Sequence, residues 1–176
     1  MVKIAKLFGY TLFFILALMY FTPKVALYYF AEMQLKPMSV IINDEKVIDN
    51  GFSLSIKDST ITFKAIESAK IQTIDLVFFG LYNKVKIEGV TLASTAASLV
   101  PTKVQSIELS YHIFNPFNVS AIAVGDFGEA QAQVSILDKA LQVDLQPSKL
   151  MNKEYRATLK NLKKTKDGGY EYAKNF

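Results

Sequence analysis

Hydrophobic and polar residues alternate with a period of two through most of the chain after residue 37. Leu54 and Ile56 alternate with serines, for example, and Leu109 alternates with Glu108 and Ser110. A period of two places one set of side chains in a core and the other in water, which is typical of a half-buried β-strand. Seven segments have this pattern, at residues 52–57, 60–64, 73–78, 84–88, 107–113, 129–136 and 141–146.

Turn-forming residues separate these segments. They include Asp49-Asn50-Gly51, Gly125-Asp126 and Asp138-Lys139. The predicted strands recur without a helical pattern between most of them, which favours an antiparallel meander over βαβ units. Residues 119–124 are apolar or small on both faces and predict a central strand, whereas residues 90–100 fit either a strand or a short helix before Pro101.

The size of the inward-facing residues differs between the two halves of the predicted sheet. The first half has bulky aromatic residues, which predict a filled core: Phe52, Phe63, Phe78, Tyr111 and Phe114. The second half has small residues, which leave space or pack closely on another layer: Ala121, Ala123, Ala130 and Ala132. We therefore expect a curved antiparallel sheet or a sandwich-like body, of mainly β class.

The last part of the chain changes its period again. Ser148 is a suitable N-cap for a helix over about residues 148–164. One stripe of this helix is apolar, at Met151, Tyr155, Leu159 and Leu162. Gly168-Gly169 ends the helical pattern, and the alternation at Tyr170 and Tyr172 predicts a last short strand.

Residues 1–36 are much more hydrophobic than the rest, with 26 of 36 residues in the hydrophobic class. The 17 uncharged residues between Lys6 and Lys24 would form a helix of about 25 Å. That is slightly less than the ~30 Å hydrocarbon core of a bilayer, and lysines at both ends can extend toward the headgroups. We predict a single transmembrane helix, anchored by Leu7, Leu12, Phe13, Phe14, Ile15, Leu16, Leu18 and Phe21.

A cleaved signal peptide and a buried core helix are the alternatives to this anchor. A small-x-small cleavage pattern is missing, because Tyr29 precedes Ala31 by two residues and Lys24 precedes Ala26 by two. Lys3 and Lys6 favour a cytoplasmic amino terminus. The expected organisation is an anchor at residues 1–36 and a β-rich domain at residues 37–176, on the periplasmic side of a bacterial inner membrane.

Charge is unevenly distributed along the chain, whose formal net charge is +4. Residues 37–147 have 8 Lys and 12 acidic residues, whereas residues 148–176 have 8 Lys or Arg and 3 acidic residues. The predicted basic surface consists of Lys149, Lys153, Arg156, Lys160, Lys163 and Lys164. It fits a solvated helix face, or a surface for anionic lipid headgroups or an acidic partner protein. Nucleic acid is not an expected partner, because an extracytoplasmic body would not meet DNA.

Few residues are candidates for catalysis or metal binding. The chain has no cysteine, and its one histidine, His112, has no recognisable nucleophile or orienting partner. The acidic pairs at Asp44-Glu45 and at residues 126–129 adjoin turn residues and lack the spacing of a calcium loop. Gly125-Asp126-Phe127-Gly128 does not fit a phosphate-binding loop, because it has no Gly-Lys-Ser/Thr and no helical pattern follows it. It predicts a tight hairpin turn instead. We expect no enzyme activity and no cofactor.

The second half of the chain carries a family resemblance. An apolar strand at residues 119–124 is followed by Gly125-Asp126-Phe127-Gly128-Glu129, two alternating strands and Gln146-Pro147-Ser148-Lys149-Leu150-Met151. With Lys163-Lys164 and Gly168-Gly169-Tyr170-Glu171-Tyr172 behind it, this stretch resembles the general secretion pathway protein N family of type II secretion systems. It is also similar to the related AsmA-like periplasmic β proteins. The resemblance covers about residues 85–176.

Membership of that family would imply an inner-membrane anchor, a β-rich periplasmic body and no catalytic residues. It would also imply an accessory role in moving folded proteins across the outer membrane, with membrane lipids and other secretion-system proteins as partners. Self-association and hetero-association both stay open. The alternative is a periplasmic module that handles lipid or lipopolysaccharide on an incompletely filled sheet, similar to the single-span jelly-roll subunit of lipopolysaccharide export.

Overall fold

Two helices precede one antiparallel sheet in the computed structural model, which describes residues 2–78, 82–112, 114–115 and 117–175. Helix α1 spans Val2–Phe21 and helix α2 spans Lys24–Leu35. The break between them lies at Thr22-Pro23, because proline has no N–H to continue the helical ladder. A short 3₁₀ turn at Lys36–Met38 leads into the sheet.

Within the described residues, the sheet has eleven strands. They are β1 (Val40–Asn43), β2 (Lys46–Asp49), β3 (Ser53–Phe63), β4 (Ile66–Phe78), β5 (Tyr82–Leu92), β6 (Lys103–His112), β7 (Asn118–Gly125), β8 (Gly128–Ser135), β9 (Ala140–Pro147), β10 (Lys163–Lys164) and β11 (Tyr170–Asn175). The spatial order is β1-β3-β4-β5-β6-β7-β8-β9-β11-β10, and β2 also pairs with β3. The predicted antiparallel meander is confirmed, and the sheet is open because its first and last strands do not pair.

The register places apolar side chains of consecutive strands on one face. Two adjacent cross-strand rows define this apolar face. The first row is Ile56, Ile74, Ile87, Ile107, Ala123, Ala130 and Leu145. The second row is Leu54, Leu76, Val85, Leu109, Ala121, Ala132 and Val143. The corresponding row on the opposite face is largely polar, with Ser55, Asp75, Lys86, Glu108, Ile122, Gln131 and Asp144. The period of two along each strand therefore becomes one continuous apolar surface across the sheet.

Bulky aromatic residues do not fill the first half of this face, contrary to the sequence-based expectation. Phe52, Phe63 and Phe114 are exposed, because Phe52 and Phe114 lie outside the strands and Phe63 is the last residue of β3. Tyr111 is half-buried, and the side chain of Phe78 lies outside the described part of the structure. The core of this half consists of Leu54, Ile56, Ala69, Ile71, Ile74, Val90 and Val104.

The C-terminal segment forms two short helices and a strand, where the sequence predicts one helix to about residue 164. Helix α3 spans Lys149–Glu154 and α4 spans Arg156–Leu159, with Tyr155 between them in a non-helical conformation. The chain leaves the helix because β10 pairs with β11, which gives its backbone a ladder partner. The Ser148 N-cap is confirmed, since its hydroxyl accepts a hydrogen bond from the Met151 N–H at 3.0 Å.

Two further expectations concern short segments. The last strand is confirmed as β11. Residues 90–100 combine both alternatives, because Val90 and Leu92 end β5 and a 3₁₀ turn follows at Ser94–Ala96. The short strands β1 and β2 have no counterpart among the predicted segments.

Candidate functional site

Helix α1 stands apart from the body. Its Lys3–Phe21 segment is 19 residues long and apolar enough to cross a membrane, and none of that segment is buried inside the structure. All eight predicted anchor residues are exposed on it, with Leu16 the least and Phe21 the most exposed. These observations exclude a buried core helix and leave α1 free to meet a bilayer.

A buried lysine closes the end of α1. Lys24 is fully buried, and its ammonium donates to the carbonyl oxygens of Tyr20 at 3.1 Å and Thr22 at 3.2 Å. It also lies 3.6 Å from a carboxylate oxygen of Asp49 at the end of β2. The last carbonyls of a helix lack intrahelical partners, and a lysine near the C-terminus can satisfy them. Lys24 therefore does not extend toward headgroups as the sequence predicts, but joins α1 to the sheet.

The turn between β2 and β3 completes this junction, which we define as Tyr20, Lys24, Asp49, Gly51 and Phe52. The rings of Tyr20 and Phe52 meet edge to face with centroids 5.4 Å apart. Asp49 also accepts a hydrogen bond from the Gly51 N–H at 2.8 Å. A Cβ on Gly51 would lie 2.9 Å from Tyr20 Cδ2, and its φ is +83°, so only glycine fits this close approach.

Helix α2 covers one border of the apolar face. Val25 and Tyr28 pack against the core that includes Leu54 and Ile56. The Tyr28 hydroxyl is buried, with no hydrogen-bond partner in the described residues. Burial, followed by the nearby carboxylates of Glu45 and Glu32, raises the pKa of Tyr28 above its ordinary value. Tyr28 therefore acts as an apolar packing residue that holds α2 on the sheet.

The centre of the apolar face remains partly open. Val85, Ile87, Ile107 and Leu109 are half-buried, whereas the helices contact strands at the borders of the sheet. From Tyr111 to Val104 the face extends for about 23 Å at ~3.3 Å per residue. One acyl chain spans about half of a ~30 Å hydrocarbon core, or about 15 Å. The face, including the part that continues to the buried Val104 at the cavity, is therefore long enough for an acyl chain.

An apolar cavity lies where this face runs under the C-terminal helices. Its volume is about 260 Å³ and its lining is apolar throughout. Val104, Ala130, Val143 and Leu145 line it from the sheet, and Met151 and Leu162 line it from the C-terminal segment. Because Ala130 and its neighbour Ala123 are small, the sheet leaves space here that larger side chains would fill.

Long-range hydrogen bonds fix α3 and α4, which cover the cavity and form its roof. The Thr158 hydroxyl donates to the Leu99 carbonyl at 2.6 Å and joins α4 to the loop after β5. The Ser148 hydroxyl donates to the Asp126 carbonyl at 2.6 Å and joins α3 to the turn between β7 and β8. The apolar stripe of the predicted helix points inward, since Met151 and Leu159 are buried.

A basic groove of about 500 Å³ adjoins the cavity, and Leu162 lines both. Three of the six predicted basic residues line the groove, namely Arg156, Lys160 and Lys164. Lys160 and Lys164 have no acidic partner within the described residues, and Arg156 Nε donates to the Asn152 carbonyl at 3.0 Å. The groove therefore presents cations beside an apolar cavity.

The other predicted basic residues lie outside this groove. Lys149 and Lys153 are exposed on α3, and Lys163 lies 3.8 Å from the Glu171 carboxylate. The sequence places all six on one helix face, but the break at Tyr155 and the strand β10 separate them. The structure thus brings together half of the predicted set.

The opposite face of the sheet is charged and paired. Lys84 Nζ lies 2.8 Å from Glu108 Oε2, and Lys86 Nζ lies 2.7 Å from Glu88 Oε1. The hydrogen bond from Lys84 lowers the pKa of Glu108, and the hydrogen bond to Glu88 raises the pKa of Lys86. This face is suited to water, which makes the two faces of the sheet chemically distinct.

The residues considered for catalysis or metal binding lie apart from one another. His112 is exposed at the end of β6, and Asp44-Glu45 joins β1 to β2. Asp126 and Phe127 form the two-residue turn between β7 and β8, as predicted, and Gly128 begins β8. In the part of the chain that the structure describes, no three His, Asp or Glu side chains group together as metal ligands would.

Comparisons with known protein families, curated proteins and solved structures find no match to this chain. The resemblance to the pathway protein N family therefore stays a prediction. Sequence reasoning missed the junction and the cavity. A signal for the junction is present, because a lysine directly after a helix-ending proline can cap the preceding helix. The cavity has no such local signal, because its lining comes from β5, β6, β8, β9, α3 and β11 and from the segments between them.

Proposed function

We propose that this chain is a membrane-anchored, non-catalytic module that handles lipid. In this proposal α1 spans a bacterial inner membrane with its amino terminus in the cytoplasm, and the sheet lies in the periplasm. The apolar face holds the acyl part of an anionic lipid. The observation that carries the proposal is the continuous apolar face, which is half-open over β5–β8.

Side-chain size along the apolar face supports an acyl ligand. Ala121, Ala123, Ala130 and Ala132 form the floor of β7 and β8, so the sheet has no bulky side chains to fill its own surface there. Soluble proteins rarely leave a contiguous apolar surface without a partner. An acyl chain is a flexible apolar partner that can follow such a surface without specific polar contacts.

The basic groove supports an anionic headgroup. Arg156, Lys160 and Lys164 are next to the apolar cavity, and Leu162 connects the two spaces. A ligand with its acyl end in the cavity would place its headgroup among these cations. Lysine and arginine both bind phosphate, and arginine can do so with two parallel hydrogen bonds.

Photolabelling of the full-length protein in vesicles tests this proposal. The probe is phosphatidylglycerol with a photoactivatable diazirine on one acyl chain, and labelled residues are mapped by mass spectrometry. We expect labels on α1, which serves as the internal positive control, and on Val143, Leu145, Met151 or Leu162 in the cavity. Ala130→Phe should reduce labelling of the cavity about tenfold because the ring occupies the space.

The matched control is Ala173→Phe, which adds the same ring on the polar face of β11. Ala173 pairs with Gln142 and is exposed, so this variant should leave cavity labelling unchanged. Arg156→Gln, Lys160→Gln and Lys164→Gln together should reduce labelling by phosphatidylglycerol but not by a phosphatidylethanolamine probe. Labels confined to α1 in every protein would overturn the proposal.

A second candidate function is the accessory role that the family resemblance implies. The outer edge of β11 supports it, because β10 pairs only with Tyr170 and Glu171. Residues 172–175 pair with β9 on one side, and no strand of the described residues pairs with them on the other. An open edge offers backbone N–H and C=O groups to a strand of a partner protein. In this role the module docks to other secretion-system proteins.

Crosslinking in cells checks this second role. A photoreactive amino acid at position 174, on the open edge, is expected to capture an inner-membrane or periplasmic secretion-system protein. The same amino acid at position 131, on the polar face of β8, is the control and should not capture it. Ala173→Pro removes one backbone donor of β11 and should weaken the capture. Capture of lipid-export proteins alone would count against the secretion role.

A further inference from the structure

Several turns of the sheet gather at the end where α1 attaches. The pairs Ser53 with Val77, Asn83 with Tyr111, and Asn118 with Ser135 are at this end of their strands. The turns that follow β6 and β8 are therefore at the same end of the sheet as the turn between β2 and β3, which belongs to the junction, with β4 and β5 between β3 and β6. We call this end of the sheet the junction end.

The junction-end turns carry large apolar side chains that are exposed. Phe114 is 86% exposed and Leu137 is 68% exposed, and Phe117 and Ile136 are also exposed. Turns are usually rich in small and polar residues, because they face water. Apolar residues that protrude from neighbouring turns are typical of a surface that meets a membrane or a partner.

Helix α1 leaves the body at the junction end. Tyr20 near its C-terminus contacts Phe52, and the rest of the span is not buried against the sheet. Helix α2 then runs from Asp49 at the junction end, where Lys24 is held, toward the far end of the sheet, where Val40 pairs with Phe63. The chain therefore approaches the sheet through this end and continues away from α1.

We infer that the junction-end turns insert into the surface of the bilayer that α1 crosses. Phe114 and Phe117 form one contact and Ile136 and Leu137 form the other, at the same end of the sheet as the point where α1 joins it. Asp138, in the same turn as Leu137, accepts a hydrogen bond from the Ser135 hydroxyl at 2.6 Å. This hydrogen bond draws the carboxylate toward the strand and leaves Leu137 at the tip.

The insertion brings one end of the apolar face to the bilayer. Tyr111, Val119, Val134 and Leu141 form its last row, at the junction end. With the turns in the interface, this row opens onto the outer part of the leaflet, and an acyl chain can move between bilayer and sheet without crossing water. The inference does not depend on the lipid-handling proposal, because the turns can insert even if the apolar face binds nothing.

Site-specific fluorescence in the full-length protein tests the inference. The chain has no cysteine, so single substitutions provide unique labelling positions. The test positions are Phe114→Cys and Leu137→Cys, and the controls are Ile66→Cys and Leu99→Cys at the far end, which are 58% and 59% exposed. Each protein receives an environment-sensitive fluorophore and is reconstituted in phosphatidylglycerol and phosphatidylethanolamine vesicles.

We expect the labels at positions 114 and 137 to be quenched by brominated acyl chains. Aqueous iodide should quench them at least about threefold less than the controls, since an inserted apolar face lies ~5–10 Å into the headgroup region. Equal access of iodide to all four positions, without quenching from the bilayer, would overturn the inference. Insertion of the turns with no lipid label in the cavity would support this inference and reject the lipid-handling proposal.

Discussion

Replacing Gly128 by alanine is expected to destabilise the body by roughly 2–5 kcal/mol, combining left-handed backbone strain with overpacking. Gly128 has a φ of +115° at the start of β8. A Cβ there would meet the carbonyl oxygen of Gln146 and would lie 2.7 Å from the backbone nitrogen of Ser148. Both obstacles are backbone atoms of β9 and the helix cap, so neither can rotate away as a side chain would.

Gly168→Ala is the matched control for this substitution. Gly168 also has a positive φ, +84°, but a Cβ there would meet nothing within 4 Å. Its cost is therefore limited to backbone strain of about 1–2 kcal/mol. Chemical denaturation of each full-length protein in the same detergent, followed by circular dichroism, gives both free energies of unfolding. Equal losses in the two variants would show that the approach of β8 to β9 is not tight.

The Gly128 turn also positions the roof of the cavity. The preceding residues Asp126 and Phe127 accept hydrogen bonds from Ser148, which caps α3. A shifted turn would therefore move Met151, which lines the cavity from above. The glycine motif at residues 125–128 thus has a structural role in the site.

The strands were predictable because their signal is local. Alternation at Leu54 and Ile56, or at Leu109 and Tyr111, reports directly which face is buried. Short strands escape this signal, and β1 and β2 have only four residues each. The alternation also extends past the ends of strands, so Phe52 and Phe114 looked like core residues although they lie outside the strands. Burial at strand ends depends on which neighbours cover them, which is a property of the assembled sheet.

For the candidate site, only the residue types could be predicted from the sequence. The sequence indicated the basic residues Arg156, Lys160 and Lys164 and the small residues Ala130 and Ala132, but not their arrangement. The roof depends on the hydrogen bond from Thr158 to Leu99, which joins positions 59 residues apart. The predicted C-terminal helix was too long for a similar reason. Lys163 and Lys164 pair with β11 instead of continuing the helix that the apolar stripe predicts. Contacts between distant segments produce no periodic pattern of hydrophobic residues, so the sequence does not reveal them.

Replacing Lys24 by methionine is expected to lower the free energy of unfolding by about 1–3 kcal/mol, because buried acceptors lose their donor. Methionine retains most of the apolar volume of lysine but cannot donate to the carbonyls of Tyr20 and Thr22. Asp49 also loses its cation, although its side chain is 36% exposed and can recover water, which keeps the cost below that of a fully buried pair.

The same substitution should loosen the connection between α1 and the sheet. Lys36→Met is the control, because Lys36 directly follows α2, whose first residue is Lys24. Lys36 is exposed, and its Nζ forms only a surface ion pair with Glu32 Oε1 at 3.6 Å. We expect this variant to change the free energy of unfolding by less than about 1 kcal/mol. Limited proteolysis in detergent should cleave Lys24→Met near residues 22–24 faster than the wild type. If Lys24→Met matched Lys36→Met in both stability and cleavage, the ammonium would not fasten α1 to the sheet. In the proposed arrangement at the membrane, the Tyr20–Phe52 ring contact and the exposed turns would then have to hold the junction end.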